Sequence, residues 1–427
     1  MPADRLSTAA PGVTAADVEA AARRLVDVVP VTPLTPNQRL SDRLAAQVFL
    51  KREDLQDVRS YKARGATNFI AGLDATARAA GVVCASAGNH AQGVARACAA
   101  LGVHARIYLP RTTPRQKRER VAAIGGRWVE IVVEGDLYDD AASAALEESA
   151  RTGATLVHAF DSVGTVAGQG TVVREAVGQL VDQVGRAPDV VVVPVGGGGL
   201  LAGTLAWLRE EHPECRVVGV EPAGAASMRA ALAAGAPVDL PTVDPFVDGA
   251  AVSRVGAVPF PIVRDSGCEV VSVPEGAVCI EMLELYQSDG IIAEPAGALA
   301  SAALPALGVG PGQTVVAVLS GGNNDVTRYA EVVERALVHQ GRKHYFLVEF
   351  PQEPGALRRF LDEVLGPDDD ITLFEYVKHN NRETGPALVG IELGSPDDLP
   401  ALLERMALAP PQIERVPPDS PLFRFIV

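Results

Sequence analysis

The stretch VVVVPVGGGGLLAG, residues 190–203, decides the fold. Four β-branched residues in a row, without polar alternation, read as a short strand buried on both faces. The run stops at four consecutive glycines, Gly196, Gly197, Gly198 and Gly199, and a helical pattern begins near Leu200. Strand, glycine turn and helix make half of a βαβ unit. Consecutive glycines let successive backbone N–H groups face one concavity, and the helix N-terminus adds partial positive charge. Together they suit a phosphate. No Gly-Lys-Ser/Thr follows and the spacing is not G-x-G-x-x-G, which sets aside the nucleoside triphosphate loop and the dinucleotide fingerprint. A flexible turn is the simpler alternative.

The same alternation extends in both directions. Residues 47–51, 82–86, 106–110, 128–133, 155–160, 216–221, 269–273 and 314–320 read as strands, and 90–101, 115–124, 138–151, 200–211 and 326–338 as helices. This predicts an α/β fold with mostly parallel sheet, whose ligands sit at the carboxyl ends of strands. Two more strand ends carry unusual turns, SAGNH (86–90) and SGGNN (320–324). After about residue 340 the order becomes β-α-β-β-α-β, which predicts a small ferredoxin-like unit. Its strands are expected at 344–350, 371–379, 387–393 and 411–416. Its helices are expected at 353–366, with Pro354 in the first turn and Gly366 at the end, and at 395–406, with Ser395 as cap.

With 427 residues the chain is long enough for more than one domain. A net charge of −15 argues against nucleic-acid or anionic-membrane partners, because both require a basic field. Five scattered cysteines, without metal spacing, predict reduced thiols and a cytoplasmic protein. No basic segment followed by an apolar one is read at the N-terminus, so no signal peptide is expected. The uncharged stretches 190–208 and 295–324 are broken by Gly and Pro, and read as buried strand, turn and helix rather than membrane spans.

KREDLQDVRSYKARGA, residues 51–66, centres on Ser60, Tyr61 and Lys62. A lysine among so many charges is ordinarily a surface residue. A phosphate cradle made of backbone alone, with a lysine upstream, instead suggests pyridoxal phosphate. That cofactor requires an amine, a cradle and a partner for its ring nitrogen. Ser60 is expected to cap the helix that follows, placing Lys62 in its first turn. Asn89 can donate to the ring hydroxyl, and the SAGNH backbone (Ser86, Ala87, Gly88, Asn89, His90) can hold a substrate carboxylate. Ser320 offers a neutral partner for the ring nitrogen.

SYKARGA, SAGNHAQGVA, GGGGL and SGGNND stand in the order found in the fold-type II pyridoxal-phosphate enzymes. Over roughly residues 20–335 the chain most resembles the threonine ammonia-lyases (threonine dehydratases). The resemblance implies a two-lobed catalytic domain of the tryptophan synthase β type over 1–336, its smaller lobe roughly 50–160, and an ACT-like regulatory domain over 337–427. Lys62 would hold the cofactor as a Schiff base and move the substrate α-proton. Asn89 would contact the ring hydroxyl, Gly196 to Leu200 the phosphate, and Ser320 the ring nitrogen. A hydroxyl at 320, rather than a carboxylate, favours prompt β-elimination over transamination. Related serine racemases carry a serine where Ala87 stands, so racemisation is not expected. Relatives bind a cation near the region of Glu221, but no metal is predicted here.

The implied reaction is deamination of L-threonine to 2-oxobutanoate and ammonia, the first step of isoleucine biosynthesis. Isoleucine is the implied feedback effector, valine an opposing one, and a homotetramer the implied assembly. A serine dehydratase, a threonine synthase, a β-replacement synthase and a non-catalytic amino-acid sensor are the rivals. Among other polar residues, His90 is assigned to the turn's hydrogen bonds and REDL (52–55) to structural pairing. Arg64 and its neighbouring charges, and RQKRER (115–120), are assigned to solvated surface. Glu294 is left open between a place near the ring and a structural one.

Overall fold

The computed structural model describes residues 12–376, 382–418 and 420–426. The chain divides into two compact units. One runs up to Glu275 and resumes over Glu284–Asn324; the other comprises Gly276–Leu283 and the chain from Asp325 onward.

The first unit holds two sheets. Strands β1 (Leu34–Pro36), β2 (Gln47–Arg52), β3 (Val82–Ala85), β4 (Ala105–Leu109) and β5 (Val129–Val133) come first. They are followed by β6 (Thr155–Leu156), β7 (Val190–Pro194), β8 (Arg216–Pro222), β9 (Glu269–Val273) and β10 (Thr314–Leu319). The larger sheet has the order β1-β2-β10-β7-β8-β9, and the smaller one β5-β4-β3-β6. Only β1 is antiparallel to its neighbour, pairing Leu34 with Lys51; the rest run parallel. Every residue of β7 and of β10 is buried, as continuous valine runs under helices on both faces require. One core packs the Val163–Val184 and Gly199–Glu211 helices on the larger sheet, around Val173, Leu180, Leu201 and Val316. Another packs the Asn89–Leu101 helix on the smaller sheet, around Val94, Ile107 and Leu109. Each such side chain, fully buried, contributes about 1.5–3 kcal/mol.

The register aligns the chemistry. Val315 pairs with Val190, and Leu319 with Arg52, so Ser320, the glycine turn and Glu53 leave the larger sheet at one level. That level is the carboxyl end, where α/β sheets bind ligands.

The strand expected over 155–160 is shorter. After Leu156 the chain turns out of the sheet, because the His158 Nδ1 accepts the backbone N–H of Asp161 at 3.0 Å and that of Phe160 at 3.4 Å. The helix expected over 326–338 is Tyr329–His339, preceded by a 3₁₀ turn over Val326–Arg328.

The second unit carries β11 (Lys343–Pro351), β12 (Asp370–Tyr376), β13 (Thr384–Glu392) and β14 (Gln412–Val416), all antiparallel, in the order β12-β13-β11-β14. This is the ferredoxin-like order. Phe346, Phe360, Val389 and Leu402 are in its core, which joins the sheet to the Ala356–Val364 and Leu399–Leu408 helices. The first of these helices is shorter than expected. Its N-cap is Gly355, in the left-handed region at φ 90°, so Pro354 and Gly366 lie outside it. Ser395 caps a 3₁₀ turn over Pro396–Asp398 that leads into the second helix. Residues 377–379, expected to extend β12, lie outside the described residues.

Candidate active site

The four sequence motifs converge through their backbones. Ser60 bridges to Gly321, the Tyr61 N–H donates to the Ser320 carbonyl at 3.1 Å, and the Gly322 N–H donates to the Arg59 carbonyl at 2.9 Å. The segment before Lys62 is thus laced along the SGGNN turn. Arg59, whose carbonyl takes part in this lacing, adopts φ 55°, a strained conformation for a side chain of its size.

Lys62 opens the Lys62–Ala71 helix and is half-buried, its Nζ lying 4.9 Å from the centroid of the Tyr61 ring. Ser60 does not cap this helix. The N-cap is Tyr61, and the buried Ser60 hydroxyl has no protein partner. The helix is set by a close approach instead: a Cβ on Gly93 would lie 2.9 Å from the Lys62 carbonyl carbon and oxygen. The Asn89–Leu101 helix can therefore pass the Lys62 backbone only where it has no side chain.

Arg64, two residues on, corrects its assignment to the surface. It is 2% exposed, and Glu53 and Lys51 are fully buried. The guanidinium grips Glu53 through two bonds of 2.7 and 2.9 Å, and Glu175 through two of 2.9 and 3.0 Å. Lys51 Nζ donates to Glu175, to the Thr32 carbonyl and to Gln179 Oε1. Burial pushes the Glu53 carboxyl up, but Arg64 and Lys51 outweigh it and hold the group below its ordinary value. Burial pulls the Lys51 ammonium down, and its acidic partners only partly restore it. Strand β2, the Lys62 helix and the Val163–Val184 helix are tied together by this cluster.

The SAGNH turn becomes a helix start. Ser86 Oγ accepts the Gly88 N–H at 3.2 Å, and Asn89 is the first helical residue. The first-turn N–H groups have no intrahelical acceptor, which makes them an anion site. His90 is not part of the turn's hydrogen bonds through its ring. It is 5% exposed, its Nε2 lies 2.8 Å from the Val157 carbonyl, and burial lowers its pKa to about 3. His90 can serve a ligand there only with its backbone N–H.

Asn89 Nδ2 donates to Glu294 Oε1 at 2.6 Å, and Asn89 Oδ1 accepts from Asn323 Nδ2 at 2.7 Å. Glu294, whose place was left open, is therefore a direct hydrogen-bond partner of Asn89. Ser320 Oγ donates to the Ala296 carbonyl at 3.1 Å, which leaves its oxygen lone pairs free.

In the glycine turn, Gly198 takes φ 94° as the N-cap of the Gly199–Glu211 helix. A Cβ on Gly197 would lie 2.3 Å from the Phe160 ring, so a bare backbone is required there. Asp161 Oδ1 accepts the Val258 N–H at 2.7 Å, and the Gly256 N–H donates to the Gly197 carbonyl at 3.1 Å. Phe160, Asp161 and Asn323 were not singled out from sequence. Only Asn323 had a visible signal, its place in the SGGNN turn.

Glu221 accepts the backbone N–H groups of Met228 and Arg229 at 2.6 and 3.0 Å, which caps the Ser227–Ala234 helix. Burial raises its carboxyl to about 7. Among the described residues no disulfide joins the cysteines; Cys84, Cys98, Cys215 and Cys279 are buried and Cys268 partly so. Among the described residues no helix is long and apolar enough to cross a membrane.

These features fit pyridoxal phosphate. They supply a half-buried amine, a glycine turn that admits no side chain at Gly197, a spare amide N–H on Asn89 and a hydroxyl at Ser320. Comparison with known proteins agrees. Residues 26–321 match the family described as pyridoxal-phosphate dependent enzyme, and residues 334–426 match the C-terminal regulatory domain of threonine dehydratase. The L-threonine dehydratase biosynthetic IlvA of Mycobacterium bovis is 59% identical, over 97% of this chain and 96% of its own length. The chain belongs to the biosynthetic threonine dehydratases. Its relative of the same name from Corynebacterium glutamicum is 56% identical over 97% of this chain and 95% of its own. Among solved structures, the processed form of threonine deaminase isoform 2 from Solanum lycopersicum has a TM-score of 0.70 at 35% identity. It covers 79% of this chain and 98% of that one. The family's cofactor is pyridoxal phosphate.

Proposed function

We propose that the chain deaminates L-threonine to 2-oxobutanoate and ammonia, as the first step of isoleucine biosynthesis. The observation that carries this is the lacing of the Lys62 segment onto the SGGNN turn, with Asn89 alongside, in a chain of this family.

In this reading Lys62 is the anchoring amine and the group that moves the substrate α-proton. Gly196, Gly197, Gly198, Gly199 and Leu200 hold the phosphate through backbone N–H groups. Asn89 faces the ring hydroxyl and Ser320 the ring nitrogen. The backbone of the Ser86, Ala87, Gly88, Asn89 and His90 turn holds the substrate carboxylate; as the Ser86 N–H donates to the Tyr108 carbonyl and the Gly88 N–H to Ser86 Oγ, the donors come from Ala87, Asn89 and His90. Bound pyridoxal phosphate supplies an electron sink that acidifies the α-proton. Once the substrate amine has displaced it, Lys62 Nζ would take that proton and pass a proton to the β-hydroxyl, which would leave as water. The released enamine then hydrolyses to the 2-oxo acid and ammonia. Ala87 offers no hydroxyl that could return a proton to the opposite face, which favours elimination over racemisation.

The catalytic domain spans 1–336, with its smaller lobe roughly 50–160, and 337–427 is an ACT-like regulatory domain. This division is supported by the two family matches. Isoleucine is the inhibitory effector, valine opposes it, and the assembly is a cytoplasmic homotetramer. Control requires two states of different effector affinity. Steady-state assays with threonine, serine and phosphohomoserine, each with and without isoleucine, test the whole reading. Threonine as the best substrate, with a rate or cooperativity changed by isoleucine, is the expected result. A good rate only on phosphohomoserine, or no response to isoleucine, counts against it.

A further inference from the structure

The Asn89 carboxamide has neighbours that permit one orientation. Asn323 Nδ2 spends one hydrogen on the Val58 carbonyl at 2.7 Å, and a peptide carbonyl can only accept. That fixes which end of Asn323 points where, and so its second hydrogen goes to Asn89 Oδ1. On the other side, Glu294 Oε1 accepts one hydrogen of Asn89 Nδ2. Turning the Asn89 amide over would set nitrogen against nitrogen and oxygen against oxygen. One hydrogen on Asn89 Nδ2 is left over.

Glu294 is held for this contact. It is 4% exposed and is the N-cap of the Pro295–Ala303 helix, and its own N–H donates to the Gly321 carbonyl at 3.1 Å. A Cβ on Gly321 would lie 2.3 Å from Glu294 Oε1, so the SGGNN turn leaves room for this carboxyl. A buried carboxyl is costly, and burial with nearby Asp248 raises this one to about 7. A purely structural site would be served as well by a neutral acceptor.

We propose that Glu294 is a positioning residue: it binds one hydrogen of the Asn89 carboxamide so that the other is offered to the ring hydroxyl of the cofactor. This rests on the assignment of Asn89 to that hydroxyl. Glu294 acts through Asn89. Linked hydrogen bonds polarise one another, so the carboxyl also strengthens the N–H that Asn89 presents.

The test compares four holoenzymes: wild type, Glu294→Leu, Asn89→Ala and the double variant. Two quantities are read, the visible absorption band of bound pyridoxal phosphate and its dissociation constant by equilibrium dialysis. Glu294→Leu should shift the band and weaken the cofactor about tenfold, whereas the same change in the Asn89→Ala background should alter the constant less than about twofold. Losses that multiply, or an unshifted band in Glu294→Leu, overturn the proposal while leaving the Asn89 assignment standing. A wild-type band and constant in Asn89→Ala would remove the Asn89 assignment itself, and the proposal with it. Asn323→Ala cuts the other side of the same clamp. It should reproduce the non-additivity if Glu294→Leu does not fold, and additive behaviour there overturns the proposal equally.

Discussion

Two basic strings in this chain have opposite fates. In Lys51–Ala66 the charges of Lys51, Glu53, Asp54 and Arg64 are buried, and two carboxylates embrace one guanidinium. In Arg115–Arg120 the Arg115 side chain is 86% exposed and pairs with Glu119 only across one helical turn. The difference is where the partners come from. Arg64 is met by acids from strand β2's end and from a distant helix, whereas Arg115 has only its own helix. For these two arginines, partners from several elements make burial tolerable, whereas a single partner one turn away leaves the charge in water.

Lys62 lies inside the first string yet belongs to neither class. The hardest break of the comparison is Lys62→Ala. Threonine turnover should fall by at least about 10⁴-fold, the upper range for a lost proton-transfer group. Urea unfolding should stay near wild type, because this half-buried side chain has no ion-pair partner among the described residues. Next comes Arg64→Met, which strands Glu53 and should cost about 3–5 kcal/mol in urea unfolding. If it costs less than about 1 kcal/mol, the cluster is ornament rather than structure.

Acid sharpens the comparison further. The Glu53 carboxyl is held below its ordinary 4.5, so the unfolded chain binds the proton more tightly. Its stabilisation is complete above about pH 4.5 and is lost as pH falls through the folded value. The urea midpoint of Glu53→Gln should therefore decline less than that of wild type between about pH 5 and about pH 3. Smallest of all, Arg115→Ala should change stability by under about 0.5 kcal/mol, and the effect should vanish in high salt.

What could be read from sequence was what repeats locally. A valine run ending in glycines announces a strand, a turn and a helix without reference to the rest of the chain, and the other two unusual strand-end turns could be recognised in the same way. The alternation also predicted the ferredoxin-like order of the C-terminal strands. Arg64 could not be placed, because its burial depends on Glu175, more than a hundred residues away. His158 was read into a strand, since nothing in its neighbours shows that its ring would capture two backbone N–H groups. Phe160 was missed because its role is to fill space that Gly197 leaves open. Asn323 and Glu294 gain meaning only when both reach Asn89.

One absent atom links the reactive lysine to the buried ion cluster beside it. Gly93 lets one helix slide past the carbonyl of Lys62, and Arg64 sits half a turn further along the same backbone. A single methyl at position 93 would not touch the reactive amine or the ion cluster, yet it would move both. Catalytic alignment and folding stability are thus geared to one tolerance, and a mutational scan of this helix should find them failing together at a position that carries no chemistry of its own.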